Sequence, residues 1–185
     1  MRPLPMLATA ATPFDDADYA FEVKWDGVRC LAAVEQTNWC LWGRRGVDYT
    51  ARYPELAVLR RLPAGTVVDG ELVVLHQGRA DFPALLRRHQ RRRPLPAGYL
   101  GEPVRYVLFD LLSARGHTLL REPLVRRRAL LRELLDQVHE PLLAYSDEVV
   151  GEGRAFFAQV VAQGHEGVMA KRLASGYLPG RRSTA

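Results

Sequence analysis

The sequence predicts an α+β fold in which antiparallel sheets pack against helices. Strand-like segments come in groups separated by helical stretches rather than alternating with them one by one. Several short segments alternate apolar and polar residues with period two. Two later stretches, 123–138 and 153–164, carry apolar residues at helical spacing. At 185 residues, 48% hydrophobic and 25% charged, the chain is long enough for one domain with its own core.

Residues 1–18, rich in Pro and Ala, read as an extended lead-in. Residues 19–25 alternate, with Phe21, Val23 and Trp25 on one side and Glu22, Lys24 and Asp26 on the other. On a strand, Glu22 and Lys24 share a polar face. Gly27 permits a bend into a second strand over 28–34, and 39–43 is a third. Residues 53–62 predict a short helix. The β-branched stretch 66–75 predicts a strand interrupted at Asp69-Gly70-Glu71, since acids beside glycine favour turns.

Asp81 is placed to cap a helix with Pro83 in its first turn, running into Arg87, Arg88, Arg91, Arg92 and Arg93. A loop follows at 94–98. The largely apolar 104–112 predicts a buried strand. Pro123 opens a helix with Leu124, Leu131, Leu134, Leu135 and Val138 on one stripe and Arg126, Arg127, Arg128 and Arg132 mostly elsewhere. Residues 142–145 predict a short strand. The helix over 153–164 turns Phe156, Phe157, Val160 and Val161 inward and stops at Gly164. Residues 167–171 are expected to form the last strand, before a loop over 175–180.

The net charge of +5 and pI near 9.6 favour a polyanionic partner such as nucleic acid. No apolar run is long enough to cross a membrane, and the N-terminus does not read as an export signal. Cys30 and Cys40 therefore read as small buried hydrophobes in a reducing, cytoplasmic setting. Two cysteines at this spacing make no zinc site. Neither lysine sits in a Gly-Lys-Ser/Thr phosphate loop, and there is no Gly-x-Ser-x-Gly elbow.

Of the 26 basic residues only Lys24 and Lys171 are lysine; the rest are arginine. A guanidinium stays protonated, whereas a primary amine can lose a proton and attack. The two lysines therefore stand out as candidates for chemistry. Around them lie Asp26, Glu71 and Glu166, hard oxygens suited to magnesium. Arg29, Arg44 and Lys171 offer charge to phosphate. Phe109, before Asp110 at a strand end, offers a ring for stacking.

The order of these residues carries a resemblance. Lys24-Trp25-Asp26-Gly27-Val28-Arg29, Gly43-Arg44-Arg45-Gly46 with Asp48 and Thr50, Asp69-Gly70-Glu71, Phe109-Asp110 and Glu166-Gly167-Val168-Met169-Ala170-Lys171 follow in sequence. The chain resembles the nucleotidyltransferase (adenylation) domain of ATP-dependent DNA ligases, in particular those of bacterial end-joining type. Gly43 and Arg45 stand where that family usually has Ser and Asn.

The resemblance implies an ATP-grasp-like fold and ATP and magnesium as cofactors. It implies that Lys24 takes AMP from ATP as a covalent adduct, and that Glu22 and Phe109 lie against the adenine. Arg29 and Glu71 would hold the ribose side, and Arg44 would contact phosphate. Glu71 and Glu166 would place the metal, and Lys171 would neutralise charge on the α-phosphate. The implied partners are nicked or broken duplex DNA and end-joining repair proteins. Residues 1–185 are expected to be the adenylation domain without its last strand and without the OB-fold that follows it in the family.

Two other functions share part of this pattern. RNA ligases and mRNA-capping guanylyltransferases have the Lys-x-Asp-Gly core. A degenerate nucleic-acid-binding relic would keep the arginine groups at 87–93 and 126–128 without the chemistry.

Overall fold

The structure, a computed structural model, describes residues 2–91 and 104–183. The predicted Arg92, Arg93 and the loop at 94–98 lie outside the described residues. In chain order the first strands are β1 (Leu7–Ala8), β2 (Asp16–Val23), β3 (Val28–Val34) and β4 (Trp39–Gly43). Next come β5 (Thr66–Val73), β6 (Leu75–His76) and β7 (Arg79–Ala80), then helix α1 (Phe82–His89). The second half holds β8 (Arg105–Ala114), β9 (His117–Thr118), α2 (Leu124–Val138), β10 (Leu143–Tyr145) and β11 (Glu148–Gly151). It closes with α3 (Gly153–Ala162), β12 (Val168–Arg172) and β13 (Arg182–Ser183).

Two sheets dominate. The larger has the order β10-β8-β5-β3-β4, with β9 on β8; the smaller has β11-β2-β12. All their pairings are antiparallel except β10 on β8. This is the predicted α+β class. Two short pairs complete the fold, β6 with β7 and β1 parallel to β13.

The main core lies between the large sheet and the helices. Cys30, Leu41, Leu72, Tyr106 and Leu108 from the sheet meet Leu85 of α1 and Leu131 of α2. Removing one such leucine side chain typically costs about 2–5 kcal/mol. Asp81 caps α1 as predicted, its side chain accepting from the Ala84 N–H at 2.8 Å.

Several expectations are corrected. Residues 54–61 form a 3-10 helix (Pro54–Arg61) after a 3-10 turn at Thr50–Arg52. Asp69-Gly70-Glu71 does not interrupt its strand: it lies in the middle of β5. A Cβ at Gly70 would come within 2.4 Å of the Val107 carbonyl oxygen, so the glycine allows close strand approach, not a turn. The lead-in contributes β1 and the start of β2, and β11 forms where the sequence pattern predicts no strand. Arg182–Ser183, not the strand at Val168–Arg172, is the last strand. Val161 is exposed on α3, while Val160 is buried.

The largest correction concerns arginine. Arg127 and Arg128 are only 1% and 2% exposed, and Arg88 is buried against Glu55 at 3.0 Å. They are internal ion-pair partners, not the nucleic-acid contacts that the relic alternative would keep. Arg126 alone of its run stays largely outside, beside Glu122.

Candidate active site

Lys24 is the first residue beyond β2. Its backbone N–H donates to the Gly167 carbonyl at 2.9 Å, joining it to the start of β12. Its amine forms an ion pair with Glu166, and both side chains are about half exposed. Trp25 is anchored beside it, donating through Nε1 to the Ser146 hydroxyl at 3.1 Å and meeting the His165 ring edge-on. Gly27 passes against β5 so closely that a Cβ would lie 2.2 Å from the Leu72 carbonyl oxygen and 2.8 Å from Glu71 Cγ. The glycine of Lys-x-Asp-Gly thus brings the lysine loop down onto the strand that carries Glu71.

Behind Lys24 lies a buried charge network. Glu22 on β2 sits directly opposite Glu148 on β11, a facing of like charges that is unfavourable by itself. Arg128 of α2 reaches between them and pairs with both, 2.7 Å from Glu22. Lys171 of β12 also reaches Glu22 at 2.7 Å. Burial, with Arg128 nearby, lowers the pKa of Lys171, and Glu22 opposes that shift. The carboxylate of Glu22, expected by the adenine, is thus committed to two cations.

Phe109 owes its position to a β-bulge. β5 pairs Asp69 with Asp110 but Gly70 with Leu108, which leaves Phe109 as the extra residue. A bulge of this kind re-aims a side chain. The Arg128 guanidinium donates to the Phe109 carbonyl at 3.0 Å. Lys171 Nζ stands 4.1 Å from the Phe109 ring centroid and the Arg29 guanidinium carbon 4.9 Å. Arg29, Phe109, Met169, Lys171 and Tyr177 line one cleft. A roomier cavity of about 220 Å³ shares Met169 and Ala170 with this cleft, but no charged group lines it. The cleft with the cations is the better candidate for a phosphate-bearing ligand.

The facing carboxylates Asp69 and Asp110 are each clamped by an arginine. Arg29 donates to Asp69 at 3.0 and 2.7 Å, and Arg127 donates to Asp110 at 2.7 and 2.9 Å. Burial alone would lower the pKa of Arg29, but Asp69 outweighs it and raises the value.

Glu71 lies opposite Arg29 in the ladder. Burial is the main cause that pushes its carboxyl up to about 8, with Asp69 and Asp26 adding to the rise and Arg29 and Arg44 opposing it. Protonation is therefore easier in the fold than in the unfolded chain. The stability tied to this group is full below about pH 4.5 and is lost as pH rises through about 8. Glu71→Gln is expected to be indistinguishable from the parent near pH 4 and about 4 kcal/mol more stable at pH 8, measured by urea unfolding. A pH-independent difference would contradict this.

The donors suit magnesium in one particular way. Among the described residues no three His, Cys, Asp or Glu side chains gather as an all-protein metal site would need. Glu71 and Glu166 instead offer single carboxylates, the set expected of a magnesium ion that keeps water and shares phosphate oxygens. Arg44 lies on the exposed turn after β4 and Asp26 is exposed beside Lys24.

Comparison with known proteins decides the family. A sequence model described as the ATP dependent DNA ligase domain matches residues 5–185. The chain belongs to that family. This ligase domain is 34% identical to a DNA ligase of Thermococcus fumicolans over 96% of its own length and 34% of the relative's. It is 36% identical to the multifunctional non-homologous end joining protein LigD of Pseudomonas aeruginosa, over 94% of itself and 20% of that protein. The ligase domain of Mycobacterium tuberculosis LigD superposes with a TM-score of 0.83 at 35% identity, covering 98% of this chain and 58% of that one. A mycobacterial DNA ligase D solved with ATP gives 0.82 at 34% identity, with the same coverage. The ligase domain thus spans a fifth to a third of these two curated relatives.

The structure joins the predicted residues in two groups, Lys24 with Glu166 and Glu22 with Lys171. Phe109 with Arg29 adjoins the second group through Lys171. Sequence reasoning missed Arg128, Arg127, Asp69 as partner of Arg29, and Tyr177. The only available signal was the invitation to pair: each buried carboxylate had to have a cation somewhere.

Proposed function

We propose that this ligase domain carries out the nucleotide-transfer steps of DNA sealing. Lys24 Nζ attacks the α-phosphorus of ATP. The ammonium first loses one proton to Glu166 or solvent; a nitrogen–phosphorus bond then forms, the bond to pyrophosphate breaks, and the nitrogen sheds a second proton, keeping one in the phosphoramidate. The adenylate then passes to the 5′-phosphate of nicked DNA. The observation that carries this reading is Lys24 held by Glu166, with Phe109, Arg29 and Lys171 in the neighbouring cleft.

In this reading Phe109 stacks on the base and Arg29 and Glu71 take the ribose side. Glu22 supports the adenine end indirectly, by holding Lys171. Lys171 stabilises charge building on the α-phosphate, the main lever on a phosphoryl transfer. Arg44, on its exposed turn, takes phosphate. Glu71 and Glu166 would hold magnesium, which supplies charge neutralisation at the phosphates.

Nicked or broken duplex DNA is the proposed partner, supported by the net charge of +5. End-joining repair proteins follow from the likeness to LigD. A cytoplasmic setting belongs to the same reading, supported by two free cysteines, Cys30 and Cys40. No helix among the described residues is long and apolar enough to cross a membrane.

Incubation with ATP and magnesium is expected to add one adenylate to the intact mass, stable to base and released by acid, as a phosphoramidate should be. Labelling by GTP as good as by ATP would favour the capping-type alternative and count against this one.

A further inference from the structure

We infer that Tyr177 is a positioning residue for Arg29, acting through Asp69, and that it helps set the domain's affinity for the nucleotide. This rests on the ATP reading above. Tyr177 is 4% exposed, and its phenol donates to Asp69 Oδ2 at 2.5 Å. The same Oδ2 accepts from Arg29 at 2.7 Å, while Arg29 Nε holds Oδ1 at 3.0 Å. Asp69 is fully buried, so these contacts stand in for its hydration. The phenol oxygen in turn accepts from the Met6 N–H at 2.9 Å.

The tie spans the chain: Tyr177 lies 108 residues from Asp69 and 171 from Met6. It is fixed from its own side too, since the Tyr177 N–H donates to the Leu120 carbonyl at 2.8 Å and the Arg127 guanidinium stands over its ring. Tyr177 and Arg29 line the same cleft as Phe109 and Lys171. The geometry is that of an outer hydrogen bond that aims a ligand-facing arginine, as outer partners aim inner ligands elsewhere. Without the phenol, Asp69 has one fewer donor and the fork of Arg29 has more than one way to meet it.

The test uses two readouts. In Tyr177→Phe the Arg29 Nε–H should exchange with solvent at least about tenfold faster by NMR, because the clamp on Asp69 loosens. ATP binding by calorimetry should weaken about tenfold, the scale of one hydrogen bond to a charged group. In an Arg29→Lys background, which keeps a cation for Asp69, adding Tyr177→Phe should weaken ATP binding less than about twofold, because the phenol acts through the arginine. Unchanged Arg29 exchange in Tyr177→Phe, or the same loss of affinity in both backgrounds, would overturn the inference. The exchange measurement needs no nucleotide. A parent that fails to acquire adenylate therefore counts against the proposed function alone, while the exchange result still decides the role of Tyr177.

Discussion

Lys24→Ala is expected to leave no detectable adenylate adduct, a loss of at least about a thousandfold in labelling rate. Lys24→Arg should fail as completely, although it keeps the charge and the pairing with Glu166. A guanidinium does not give up its proton at working pH, so it cannot offer a lone pair to phosphorus. That comparison separates chemistry from electrostatics. Stability should hardly move in either variant, because the Lys24–Glu166 pair is about half exposed and such pairs contribute about 0–1 kcal/mol. Intact-mass labelling beside a urea melt measures both. An adduct that persists in Lys24→Arg would mean that another residue, with Lys171 the remaining lysine, is the nucleophile.

Arg128→Met is expected to be the most damaging single change to the fold, at about 3–5 kcal/mol. The methionine matches the length of the arginine stem but leaves Glu22 and Glu148 facing each other across β2 and β11 without their shared cation. It also strips donors from the Ser146 and Phe109 carbonyls. Lys171 remains on Glu22, so the greater burden falls on Glu148. Adding Glu148→Gln should therefore recover about 1–2 kcal/mol. The check is a urea midpoint for each variant. A loss under about 1 kcal/mol for Arg128→Met would show that the network is hydrated and easily replaced.

The strands and the candidate site residues stand out in the sequence for different reasons. Residues 28–34 and 39–43 announced themselves by apolar content, and the structure places β3 and β4 there. Lys24 and Lys171 stand out because lysine is rare in an arginine-rich chain, and Glu166 because its motif follows the others in order; the structure pairs Lys24 with Glu166 and Lys171 with Glu22. The fate of the arginines was not legible. Arg127 and Arg128 look in one dimension like a solvated helix face. What buries them is Asp110, Glu22 and Glu148, one before them on another strand, one at the far end of the chain and one after them. Pairing of that kind is a property of the fold. Asp69-Gly70-Glu71 misled for a related reason: acids near glycine suggest a turn until Arg29 and Tyr177 are known to neutralise and hold one of them inside a strand. The bulge that frees Phe109 is a mismatch between two strands and leaves no trace in either alone.

The parallel pairing of Leu7–Ala8 with Arg182–Ser183 has a consequence for the order in which the molecule assembles. Closing so long a loop is entropically costly, and parallel contacts far apart along the chain form late. On the ribosome, β3, β4 and β5 can zip together early, whereas β2 must wait for its partners β11 and β12. The N-terminal strap can meet Trp42 and Asp48 early, but β1 has no strand partner until residues 182–183 emerge. A nascent chain therefore displays Lys24 long before Tyr177 arrives to complete the wall beside Arg29.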